Sequence, residues 1–124
     1  MRPCTSSIWR GAKGANHGAK KQAVIDRLTT FFDRFFEGAG VSIDEIDYVI
    51  PHQASRALPL IMRRIGIPED RYANYVEDFG NMVSASVPFA LAKAWDEGRI
   101  GRGSRVLLCG TAAGLTANAL LLQL

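Results

Sequence analysis

A histidine and an asparagine stand at two loop tips, each just after a strand-like run and just before a helix-like one. His52 follows Tyr48-Val49-Ile50-Pro51, and Asn81 follows Gly80 just ahead of a small-residue stretch. A neutral imidazole N–H and a carboxamide N–H aimed at one point stabilise a developing oxyanion without transferring a proton. Neither group is a nucleophile, so the pair reads as half of an active site. Taken singly, each has an ordinary structural reading, the histidine as a strand-end residue and the asparagine as a turn or cap. Loops at strand ends are where α/β sheets place their chemistry, which gives the pair more weight together than apart.

Other reactive residue types read more plainly. Cys4 and Cys109 lie far apart with no CxxC and no Cys/His cluster. A disulfide framework or metal site is therefore not expected, and a reducing, cytoplasmic setting is. Cys109 falls in an apolar run and reads as an inert core thiol. Cys4 has no activating neighbour, and His17 reads as solvated. Arg56, Arg63 and Arg64 are candidate contacts for an acidic carrier or substrate; their simpler reading, like that of Lys20-Lys21, is a solvated face. The Gly110–Gly114 segment is a small-residue loop, read as a hairpin, with backbone N–H groups that an anion can use. It is neither a dinucleotide fingerprint nor a P-loop.

The elements that must position these groups follow from periodicity. With 124 residues, 48% of them hydrophobic, the chain suits one domain with a core. Residues 1–18 read as a Gly/Ser/Lys/Arg-rich, poorly ordered leader. Residues 19–37 read as an amphipathic helix, with Val24, Leu28, Phe31, Phe32, Phe35 and Phe36 on one face. Residues 48–50 form a short strand ended by Pro51. Residues 56–65 form a helix capped by Ser55 and closed by Gly66. Tyr75-Val76 is a candidate strand. A helix from about residue 84 or 86 to 97 is apolar almost all round, the pattern of a helix buried between layers. Residues 105–109 and 115–123 complete an α/β layered domain with strands antiparallel across the last loop. The net charge of +3 comes from 15 basic and 12 acidic residues, scattered rather than blocked. Nucleic-acid binding is not expected from it. No apolar stretch is long enough for a membrane span.

Two of these segments carry a family resemblance. Asp44-Glu45-Ile46-Asp47-Tyr48-Val49-Ile50-Pro51-His52-Gln53-Ala54 resembles the histidine motif of the β-ketoacyl-acyl-carrier-protein synthase III family. Gly80-Asn81-Met82-Val83-Ser84-Ala85-Ser86-Val87-Pro88 resembles its asparagine motif, and residues 98–116 its closing strand–loop–strand. The resemblance covers about residues 44–124, fades over 20–43 and is absent over 1–19. It implies the later part of the C-terminal half of a thiolase-like fold, a mixed sheet with helices packed on it. It implies a decarboxylative condensation of acyl-coenzyme A with malonyl-acyl-carrier protein, with no cofactor. His52 and Asn81 would donate to the malonyl thioester oxygen, and the backbone N–H of Ala113 would help form the acyl-transfer oxyanion hole.

The nucleophilic cysteine of such enzymes belongs to an N-terminal half, and neither Cys4 nor Cys109 matches its motif. The chain is therefore expected to act as the C-terminal catalytic portion of such an acyltransferase, inactive alone. Its expected partners are acyl carrier protein and either a synthase N-terminal half or further copies of itself. The alternative is a non-catalytic thiolase-like interaction subunit. Ser55 stands where many members have Asn, and Met82 where many have Thr. Thr111, Ala112 and Ala113 replace common Phe and Gly residues. These departures leave acyl preference and pathway open between fatty-acid synthesis and secondary metabolism.

Overall fold

The computed structural model describes residues 17–112 and 116–124, with the side chains of residues 17–21 and of Ala112 not described. Helix α1 spans His17–Ala39. It starts earlier than the periodicity indicates, so residues 17–18, expected in the leader, are helical; residues 1–16 lie outside the described part. It also runs past Gly38. The stop comes where Val41 N–H donates to Phe36 C=O at 3.2 Å and Gly40 N–H to Glu37 C=O at 3.3 Å, the paired bonds that close a helix end.

Three strands form one mixed sheet in the order β1-β2-β3. Strand β1 is Tyr48–Pro51, β2 is Arg105–Ala112 and β3 is Thr116–Gln123. β1 runs parallel to β2, with Tyr48 opposite Val106 and Pro51 opposite Cys109. β3 returns antiparallel, Leu107 facing Leu121 and Gly110 facing Asn118. Pro51 is the strand's last member rather than its stop. The ladder continues through His52 N–H, which donates to Cys109 C=O at 2.8 Å. β2 extends to Ala112, so most of the expected 110–114 loop is strand.

Period-two alternation in β1 and β2 divides the core between two faces. On one face Val49, Leu107 and Cys109 pack with Phe32 of α1 and with Leu58 and Met62 of helix α2, Leu58–Ile65. On the other face Tyr48, Ile50 and Val106 pack against Ala90 and Ala94 of a later helix. Ser55 does not cap α2 directly. Its hydroxyl accepts from Ala57 N–H at 3.2 Å, building the turn that precedes Leu58.

Tyr75-Val76 is not a strand. Val76–Phe79 is a short helix, α3, with Tyr75 at its start. The extended pairing falls earlier, where Tyr72 bridges Val49 and Ala73 N–H donates to Val49 C=O at 2.9 Å. The last helix, α4, is Ser86–Asp96, preceded by a 3-10 turn over Val83–Ala85. Burial all round is not what the described residues give it. Ser86, Ala90 and Ala94 are buried on the sheet, while Trp95 is 47% exposed. Among the described residues no helix is long and apolar enough to cross a membrane.

Candidate functional site

Position at the site begins with β1. Its four residues are all buried and deliver His52, half-buried, at the strand's C-terminal end. The next residue fixes the turn. Gln53 is fully buried, and its amide nitrogen donates to Pro51 C=O at 2.8 Å and to Ala73 C=O at 3.1 Å. Its side-chain oxygen accepts from Tyr75 N–H at 2.7 Å. One carboxamide thus does locally what a neighbouring strand would, which is why Tyr75 leaves the sheet and begins α3. No role for Gln53 is legible in the sequence beyond its place in the motif, because two of its three partners, Ala73 and Tyr75, lie twenty or more residues away.

The asparagine loop is shaped by backbone that most residues avoid. Gly80 sits at φ 66°, ψ −165°, a region open essentially to glycine. Val83 has φ 53°, costly for a β-branched residue, and the residue is 73% exposed. Strain of this kind persists only where surrounding contacts impose it. Here Asn81 accepts from Val83 N–H at 2.8 Å through its side-chain oxygen. Met82 N–H donates to the hydroxyl of buried Ser86 at 3.1 Å. The Asn81 amide nitrogen donates across to Ala54 C=O at 3.3 Å. That bond joins the asparagine loop to the turn that begins at His52, where Ala54 N–H in turn donates to His52 C=O at 3.0 Å.

A small cavity of about 60 Å³ opens beside His52, between α1, α2 and the ends of the strands. Leu28, Phe31, Phe32 and Leu58 give it apolar walls, and Ser55, Thr111 and Asn118 add polar groups. Asn81 is not among its lining residues, and Asn118 is a residue that sequence reasoning passed over. Its only sequence signal is a polar position in the alternation of β3.

The remaining candidates separate clearly. Cys109 is buried, and burial pushes its thiol up to about 12, so it is protonated at neutral pH. Arg56, Arg63 and Arg64 are exposed on and before α2, Arg64 donating to Gln22 at 3.4 Å. Ala113 and Cys4 lie outside the described residues, as does the side chain of His17. Among the described residues, no three His, Cys, Asp or Glu side chains gather as metal ligands.

Residues 36–124 match the family model described as 3-oxoacyl-[acyl-carrier-protein] synthase III, C terminal. The chain is 43% identical over 88 residues to a β-ketoacyl-[acyl-carrier-protein] synthase III of Oceanobacillus iheyensis, covering 70% of this chain and 28% of that protein. It is 38% identical over 101 residues to the Coxiella burnetii protein of the same name, covering 81% and 32%. The solved β-ketoacyl-[acyl-carrier-protein] synthase III of Thermus thermophilus superposes with a TM-score of 0.76 at 35% identity, over 88% of this chain and 34% of that one. The chain thus spans about a third of the length of the relatives it matches. A mixed sheet with helices packed on it is shared with proteins of thiolase-like fold. The chain belongs to the 3-oxoacyl-[acyl-carrier-protein] synthase III family and corresponds to its C-terminal portion.

Proposed function

We propose that this chain supplies the decarboxylation half of a synthase III-type active site, with His52 and Asn81 as its hydrogen-bond donors. The observation that carries the reading is the Asn81–Ala54 hydrogen bond, which holds the asparagine loop against the histidine turn. When a malonyl thioester loses carbon dioxide, the electron pair of the breaking C–C bond moves to the α-carbon and onto the thioester oxygen. Preorganised N–H donors favour that state over the ground state. The resulting carbanion forms a new C–C bond to the acyl carbon of an acyl-cysteine and releases the thiolate. Cys109 cannot supply that thiolate, being buried and protonated. Cys4 does not match the family's nucleophile motif either, so the reading assigns the acylated cysteine to a synthase-type N-terminal half. Exposed Arg56, Arg63 and Arg64 offer positive charge to acyl carrier protein, which presents the malonyl group.

The test is decarboxylation of malonyl-acyl-carrier protein by the assembled enzyme carrying His52→Ala or Asn81→Ala. Removing one such donor lowers the rate on the order of 10²–10³-fold. Unchanged rates in both variants would sink the catalytic assignment. They would leave the second reading, a non-catalytic interaction subunit, which the exposure of Phe79, Val83 and Trp95 favours.

A further inference from the structure

We infer that Lys93 is a positioning residue for Asn81: its ammonium clamps α3 onto α4 and so sets the asparagine loop against the turn at His52. The inference rests on the proposed role of Asn81 and extends it to the helix that follows the loop.

A single helical turn is marginal in isolation. α3 has only the four residues Val76–Phe79, and Gly80, its cap, leads directly into Asn81. The loop beyond is strained at Val83, φ 53°, so both of its ends must be held. α4 holds the far end, where Met82 N–H donates to the Ser86 hydroxyl at 3.1 Å. The near end depends on α3. Gln53 fixes the start of α3 through Tyr75 N–H at 2.7 Å. At its other end Phe79 is 46% exposed, so burial alone does not seat it.

Tyr75 and Phe79 stand four residues apart and share a face of α3. Phe89, Lys93 and Glu97 repeat that spacing along α4 and its cap. The Phe89 ring centroid lies 6.4 Å from that of Tyr75 and 4.8 Å from that of Phe79. The Lys93 ammonium lies 5.5 Å from the Tyr75 and Phe79 ring centroids alike. It is anchored 3.1 Å from one Glu97 carboxylate oxygen, while the other accepts from Tyr75 O–H at 2.8 Å. One cation thus ties both ends of α3 to α4. A cation over two ring faces is attracted to both, and its carboxylate anchor keeps it there.

The experiment follows the Asn81 side-chain NH₂ signals and the Gly80 N–H exchange rate in the ¹⁵N-labelled full chain, then decarboxylation of malonyl-acyl-carrier protein by the assembled enzyme. Gly80 N–H donates to Val76 C=O at 2.8 Å, so its exchange reports the closure of α3. Lys93→Met keeps the stem and removes the charge. It is expected to speed that exchange about two- to fivefold, the strength of one exposed cation–ring contact, and to shift the Asn81 signals while the amides of β2 stay unchanged. Lys93→Arg is expected to restore both. Glu97→Gln, which loosens the cation's anchor, is expected to act in the same direction and serves where Lys93→Met folds poorly. In the enzyme, Lys93→Met is expected to lower kcat by a similar factor with KM unchanged, and to add nothing in an Asn81→Ala background. Unmoved Asn81 signals, or exchange raised equally across β2, overturns the inference. So does an equal loss of rate with and without Asn81. If Asn81→Ala itself leaves decarboxylation unchanged, the proposed function fails, and the Gly80 and Asn81 signals still decide whether Lys93 positions the loop.

Discussion

The turn at His52 separates two tasks between adjacent side chains. His52 is half-buried and, among the described residues, its ring makes no hydrogen bond, so it is available to a ligand. Gln53 is fully buried and uses three hydrogen bonds to set the turn. Stability and activity are therefore expected to part company here. Gln53→Ala strands a buried Tyr75 N–H and an Ala73 C=O and should cost about 3 kcal/mol, read as a lower urea midpoint. His52→Ala should shift that midpoint by less than about 1 kcal/mol while removing a donor. Equal losses of stability in the two variants would mean that His52 is a structural residue. The histidine and asparagine stood out as a pair by their places after strand-like runs, although the run before Asn81 is the short helix α3. The work of Gln53 and the placement of Asn118 were not legible, because both depend on contacts between segments distant in sequence.

At the scale of elements, the strands and helices that carry the site were legible from periodicity, and the errors share one physical cause. Tyr75-Val76 has the β-branched and aromatic character of a strand, yet a buried glutamine side chain takes the Tyr75 N–H that a ladder would use. Tertiary hydrogen bonding overrides local preference there. The same segment ties α3 to α4. Tyr75 O–H donates to Glu97 at 2.8 Å, and Lys93 pairs with Glu97 at 3.1 Å. Burial, then the bond to Glu97, raises the Tyr75 phenol well above its ordinary 10.0. The bond from Tyr75, then that from Lys93, lowers the exposed Glu97 carboxyl. A phenol raised on folding adds stability that is fully present below pH 10.0 and is lost as pH rises beyond it toward the folded value. The melting temperature is therefore expected to fall above about pH 10, and less steeply in Tyr75→Phe. Tyr48 and Tyr72 are also raised by burial, so part of the alkaline fall should survive that substitution. Equal slopes for the two proteins, with phenolate absorbance followed alongside, would show that Tyr75 ionises freely in the fold.

At the scale of the whole molecule, the two faces of the sheet are unequally covered. α1 and α2 bury the face that carries Val49, Leu107 and Cys109. On the other face the small residues Ala90 and Ala94 let α4 settle closely over β1 and β2. β3 extends that face without the same cover, and Leu120, on the side of Leu122 by strand alternation, is 56% exposed. Trp95 at 47%, Phe79 at 46% and Val83 at 73% add apolar surface on and before α4. The Phe79 and Phe89 rings lie 4.8 Å apart, and Lys93 stands 5.5 Å from the Phe79 centroid, its charge only partly masking that patch. Burying one such side chain fully is worth about 1.5–3 kcal/mol, so several together favour association over solvent. The chain is thus expected to self-associate, or to bind a partner tightly, through the α4 face. Sedimentation across a range of concentrations should show mass rising with concentration. Trp95→Glu and Leu120→Glu together should shift the distribution to the monomer with the site around His52 unaltered. A monodisperse monomer at high concentration would mean that the exposed residues of α4 and β3 do not drive assembly.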